Sequence, residues 1–177
     1  TRLDLRENYM GIKSARLITP SLCLLTRLRV LNLSSNFFKT KGMATITAAL
    51  AQMSHLQDLN LRNCMLGSKA AKSLSKCMQN WKMLECLNLG GNKFRSDSIR
   101  MLMDSFACLQ SLHTFALDTN RLDSKVDKIL AKILPQVPRL MLIDLQYNPK
   151  LLLADIPDLQ SALGSDYLFT NLAIRRR

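Results

Sequence analysis

The sequence has few of the residues, and none of the motifs, that enzymatic chemistry usually requires. Among 177 residues there are two histidines, His55 and His113. There is no HExxH, no phosphate-binding glycine loop, no GxGxxG, and no cysteine and histidine at repeat positions that would bring them together. Neither catalysis nor a cofactor nor a metal is expected. Long apolar runs are also missing: the longest are a few residues, too short to cross a bilayer. The charged, alternating start Thr1-Arg2-Leu3-Asp4-Leu5-Arg6-Glu7 is unlike a secretory leader. The cysteines, Cys23, Cys64, Cys77, Cys86 and Cys108, are odd in number and lack a CxxC pair, which points to a reducing, intracellular and most simply cytoplasmic setting. Acids are scarce, 13 against 25 lysines and arginines, for a net charge of +12. Such a total invites a nucleic acid or an acidic membrane, so the location of the charges decides its meaning.

What the chain does have is a repeat. Leu28-x-x-Leu31-x-Leu33-x-x-Asn36 returns as Leu56, Leu59, Leu61, Cys64, as Leu84, Leu87, Leu89, Asn92, as Leu112, Phe115, Leu117, Asn120, and as Leu140, Ile143, Leu145, Asn148. A truncated copy, Leu3, Leu5, Asn8, precedes them, and each step is 28 residues. Within a period the apolar spacing turns from strand-like to helix-like: Phe38, Gly42, Ile46 and Leu50 fall at four-residue steps, and the later copies follow suit. Each period therefore predicts one short strand and one helix. Thr40, Ser68, Ser96 and Ser124 stand at the helix starts as candidate caps, and Thr19-Pro20 predicts that the first helix starts late or kinks.

Parallel strands stack at about 4.8 Å while helices need roughly 8–10 Å, so the stack must curve with the strands on the inside. The fold class expected is an α/β solenoid with a parallel concave sheet and convex helices. The motif LxxLxLxx(N/C) in a 28-residue period resembles the ribonuclease-inhibitor class of leucine-rich repeats over nearly the whole chain. That resemblance implies a horseshoe, an intracellular setting and a protein-binding role, without naming a partner. Regulation of a GTPase or of actin follows from fold analogy alone.

The repeats are expected over residues 1–148, with a capping segment over 149–177 in which 155–164 form an amphipathic helix and Tyr167-Leu168-Phe169 a last edge strand. Residue 1 falls inside a repeat, which suggests a longer chain or a partner at that edge.

The asparagine column, Asn8, Asn36, Asn92, Asn120 and Asn148, is expected to satisfy inward backbone groups, with Cys64 as a weaker substitute. Candidate partner-binding residues lie at the outward strand positions: Arg2, Arg6, Arg29, Asn32, Asn60, Arg62, Glu85, Asn88, His113, Asp118, Met141, Asp144 and Tyr147. Asn32, Asn60 and Asn88, flanked by Asp4 and Asp144, are expected to bond one another across strands, and Glu85 to touch His113. Met141 and Tyr147 belong to the most apolar part of this face, where an interface anchor is expected. The concave positions hold four arginines and six acids, a net of −2, so all the excess positive charge lies elsewhere. Much of it forms a basic ridge at the helix entries, Lys13, Lys39, Lys41, Lys69, Lys93, Arg95, Arg121 and Lys125, a candidate for an acidic partner protein, RNA or anionic lipid. Arg175-Arg176-Arg177 either joins that ridge or frays. Six strands of about five residues offer only roughly 400 Å² of concave area, half of a standard interface, so the loops, or further repeats upstream, are expected to contribute to binding.

Overall fold

The computed structural model describes residues 1–170 and 172–176. Six parallel strands, β1 (Arg2–Asp4), β2 (Val30–Asn32), β3 (Asp58–Asn60), β4 (Cys86–Asn88), β5 (Thr114–Ala116) and β6 (Leu142–Asp144), pair in sequence order. Their central residues, Leu3, Leu31, Leu59, Leu87, Phe115 and Ile143, stand opposite one another, so the register reproduces the 28-residue step. All but Leu3 are buried. Beyond β6 the direction reverses: β8 (Ala173–Arg176) runs antiparallel to β6, and β7 (Tyr167–Thr170) pairs with β8 as the outer strand. Tyr167–Thr170 is thus the sheet edge, but the segment after it lies between that edge and the repeats.

The second layer comprises α1 (Ile12–Cys23), α2 (Lys39–Leu50), α3 (Ser68–Met78), α4 (Ser96–Arg100), α5 (Met103–Phe106), α6 (Val126–Ile133) and α7 (Pro157–Leu163). One continuous apolar cluster runs from Ala15 to Ile174 between the layers. Each fully buried Leu, Ile or Phe contributes about 1.5–3 kcal/mol before chain entropy is subtracted. Gly42 lets α1 and α2 approach closely: a Cβ there would meet Phe38 Cβ at 3.2 Å and Ala15 Cβ at 3.4 Å.

Three local expectations are corrected. The first helix does not start late: α1 begins at Ile12 and continues through Pro20. Thr19 Oγ1 donates to the Ala15 carbonyl at 2.7 Å one turn back, and Pro20 sits on the exposed side. The hydroxyl column caps no helix. Ser68 Oγ instead bonds Ser98 Oγ at 2.8 Å, and Ser96 Oγ donates to Asp123 Oδ1 at 2.6 Å, so these hydroxyls tie one repeat to the next. The helix of the fourth copy is split into α4 and α5 because Met101 and Leu102 take ψ of −15° and i+3 bonds replace the α-helical ladder there.

In the C-terminal segment, the 155–164 helix condenses to α7, flanked by tight turns at Leu153–Asp155 and Gly164–Asp166. Its start is capped from another element. Asp127 of α6, 5% exposed, accepts from Asp158 N at 3.1 Å and Leu159 N at 2.7 Å. That carboxylate satisfies first-turn amides that have no partner within the helix.

Candidate functional site

The asparagine column is structural. Asn92, 6% exposed, accepts from Cys64 N at 3.1 Å and Leu66 N at 2.9 Å in the preceding copy, and donates to the carbonyls of Leu61, Leu89 and Gly90 at 2.9–3.0 Å. Asn36 repeats the pattern two periods earlier with Asn8 N, Met10 N, Leu5 O, Leu33 O and Ser34 O. Asn120 and Asn148 continue it. Cys64 fills the role in reduced form: its sulfur lies 3.2 Å from the Leu33 carbonyl and 3.4 Å from that of Arg62. Burial pushes its thiol up to about 12, against a smaller opposing effect of the Asn36 amide, so it remains a protonated donor.

The middle of the concave face is occupied by its own bonds. Asn32, Asn60, Asn88 and Asp144 do not bond across strands as expected. Each side-chain oxygen instead accepts the amide two residues on, from Ser34, Arg62, Gly90 and Gln146, at 2.9–3.0 Å. The physical reason is proximity. The i+2 amide emerges from the strand end with no closer acceptor, and a short Asx side chain reaches it without strain. Asn32 is 8% exposed and offers a partner little surface.

The next column along, Arg62, Gly90 and Asp118, forms one unit. Arg62 Nη1 lies 2.7 Å from Asp118 Oδ2 and 2.8 Å from Oδ1, bridging 56 residues of sequence and two periods of the stack. Gly90 lies between them, and a Cβ on it would collide with both Arg62 Nη1 and Asp118 Oδ1. Here glycine serves for close approach, since the pair occupies the space of its missing side chain. Asp118 is 5% exposed, so neither it nor the inner edge of Arg62 is a free contact. Replacing Gly90 with alanine is expected to split the pair and destabilise the chain by about 1–3 kcal/mol. A double-mutant cycle with Asp118→Asn, read by urea unfolding, checks this, since the alanine effect should shrink once the carboxylate is gone.

Burial also pushes the carboxyls of Asp58 and Asp144 up. Arg2 opposes the shift at Asp58. At Asp144 the Gln146 amide opposes it, Asp118 reinforces it, and Arg62 and Arg175 oppose it. Arg175 therefore acts on the sheet from β8 and does not join the ridge; the Arg176 side chain and Arg177 lie outside the described residues. The expected Glu85–His113 ion pair does not form. Glu85 Oε1 accepts from Gln57 Nε2 at 3.2 Å, and His113 Nδ1 is buried without a hydrogen bond.

Two flanking columns remain open. On one side Arg29, Glu85 and Met141 are exposed, Met141 by 53%; on the other Tyr147 is 77% exposed. Arg2 and Arg6 both approach Asp4, at 3.5 and 3.7 Å, with their side chains still 65% and 60% exposed. The ridge residues Lys13, Lys39, Lys41, Lys69, Lys93, Arg95, Arg121 and Lys125 are all exposed, and among the described residues none forms an ion pair. Sequence reasoning passed over Tyr9 and Phe37. Tyr9 is 81% and Phe37 47% exposed, with ring centroids 5.9 Å apart. Both follow a ladder asparagine directly, and that shared position was the available signal.

A 28-residue strand-and-helix unit, stacked in parallel register and tied by an asparagine ladder, is a leucine-rich repeat, and the chain is a leucine-rich-repeat solenoid. Residues 52–75 match the family model described as Leucine Rich repeat. Among solved structures, an internalin (inlF) from Listeria monocytogenes is 18% identical, with 80% of this chain and 48% of that chain covered at a TM-score of 0.42. A leucine-rich-repeat protein of Leptospira interrogans is 17% identical, with 90% of this chain and 52% of that chain covered at a TM-score of 0.30. The chain thus spans about half the length of these two structures. No curated protein matches it. No helix among the described residues is long and apolar enough to cross a membrane, and no cluster of three or more acidic, cysteine or histidine residues among them is placed to hold a metal.

Proposed function

We propose that the chain is a non-enzymatic recognition module that binds another protein across its concave face and adjoining loops. Leucine-rich repeats generally bind proteins, and the reading rests on one observation: the central columns are consumed by internal bonds while the flanking columns present unengaged Arg29, Met141 and Tyr147. A rigid, self-satisfied floor with exposed aromatic and apolar edges suits preorganised docking, because little side-chain freedom is lost from the floor on binding. The five free thiols support a reducing, intracellular setting.

The decisive experiment is crosslinking in the native cell followed by mass spectrometry, with Tyr147→Ala and Met141→Glu as variants. Arg62 is unsuitable for this purpose, since removing it breaks a structural pair. Both variants should retain wild-type circular dichroism and lose a discrete partner by about tenfold or more in yield. Undiminished capture by both would remove the concave reading.

A further inference from the structure

The loop position after each ladder residue changes character along the stack. It is Tyr9, Phe37 and Met65 in the first three copies, then Lys93 and Arg121. The rings of Tyr9 and Phe37 rest against each other at 34° beside a cavity of about 350 Å³ that Glu7, Ser35 and Asn63 also line. A second depression of about 390 Å³ gathers Lys39, Lys41 and Lys93 around Met65, and a third of about 380 Å³ gathers Arg95, Arg121 and Lys150 beside a single acid, Asp123. Cations from different repeats therefore converge on shared hollows, with apolar surface at one end.

Backbone geometry marks the same strip. Glu7, Ser35, Asn63, Gly91, Thr119 and Tyr147 all hold φ between 53° and 63°, one per copy, so that left-handed column belongs to the repeat turn itself. Tyr9 and Met65, which share the position after the ladder residue, are also left-handed, at 53° and 58°, as is Lys39 at 54°, whereas Phe37, Lys93 and Arg121 at that shared position and the counterparts of Lys39 are not. A left-handed non-glycine residue is strained, and the repeat as a whole does not demand these three. All three line the hollows described above.

We propose that this loop edge is a docking site for an acidic segment of a partner protein. An apolar or aromatic side chain of that segment would seat against Tyr9, Phe37 and Met65, with carboxylates continuing over Lys39, Lys93 and Arg121. Charge complementarity selects an acidic ligand, because the cations lack carboxylate partners. The scarcity of rings selects a peptide over a nucleic acid: a single strand needs rings interleaved with cations at every nucleotide, whereas Tyr9 and Phe37 are the only rings lining these hollows, and the cations around Met65 and Arg121 have none beside them. Glu7 beside the ring cavity further disfavours phosphate there. The site is independent of the concave reading and stands if that reading fails.

The test is fluorescence anisotropy on the intact chain with a labelled peptide carrying Phe-Leu followed by a run of glutamates. Parallel arms use the same peptide with Ala-Ala in place of Phe-Leu, and an oligouridylate of matching charge. Saturable binding is expected to weaken about tenfold in Tyr9→Ala/Phe37→Ala, in Lys39→Glu/Lys93→Glu, and with the Ala-Ala peptide, but not in Tyr147→Ala. The exposed lysine pair and the Ala-Ala arm carry the test should the ring variant fold poorly. Absence of saturable binding, indifference to the rings, or equally tight oligouridylate binding with the same ring dependence overturns the proposal.

Discussion

Asn92→Ala is expected to lower folding stability by about 3–5 kcal/mol, an effect matched among polar substitutions by the equally bonded Asn36. The side chain makes five hydrogen bonds in a buried turn, and alanine can replace none of them. Two amides of the preceding copy would lose their acceptor, and water cannot enter a site only 6% exposed without opening the stack. The loss falls at the junction between repeats, on which a solenoid's cooperativity rests. Urea unfolding followed by circular dichroism measures it, with Asn8→Ala as comparison. Asn8 is exposed and donates only to the Arg6 carbonyl, so its removal should cost less than about 1 kcal/mol. Equal costs for the two substitutions would contradict the ladder's assigned role. Cys64→Asn should act in the opposite direction, because an amide at that position supplies the stronger donors and acceptor that the other copies already use.

The second large effect belongs to the only tryptophan. Trp81 is fully buried, and its Nε1 donates at 2.9 Å to the carbonyl of Leu50, the last residue of α2. It therefore does two things: it fills the core beneath the α2–α3 junction and satisfies a helix-end carbonyl of the preceding repeat. Trp81→Ala should cost about 3–5 kcal/mol, while Trp81→Phe, which keeps much of the volume and loses the N–H, should cost about 1–2 kcal/mol. Met53, Leu109 and Val137 stand one period away on either side and beyond, all buried without a polar group at that place, so the hydrogen bond is particular to this copy. Unfolding by urea, monitored at a helical wavelength because the fluorophore is lost, separates the two contributions.

Much of the architecture was legible because a strand's side chains alternate and a helix's return every turn. Leu31, Leu59 and Leu87 could only be core once Asn36, Cys64 and Asn92 fixed the frame. The ladder's purpose was equally plain, since an inward turn leaves amides that something must satisfy. Harder to see were the points where a side chain chooses among near neighbours. Thr40 and Ser68 stand where caps belong, yet Ser68 finds a serine hydroxyl in the next copy. Asn60 faces Asn88 across the sheet, yet its oxygen takes the amide two residues on. Tyr9 and Phe37 were overlooked because each is ordinary within its own copy, and only the stack brings the rings together on an exposed edge.

The period, the parallel register, the identity of the core and the separation of a near-neutral strand face from a basic outer surface are all written in the residue pattern. Spacing alone dictates these, because every copy must bury the same positions against its neighbour. Tertiary structure decided which of the outward side chains are free. Arg62 reaches past a whole repeat to Asp118 through the space that Gly90 leaves empty, a bond set by three residues in consecutive copies and by no feature of any one of them. The antiparallel turn of β7 and β8 against β6 was likewise a tertiary outcome, since edge amides accept whichever strand geometry the following segment can bring to them.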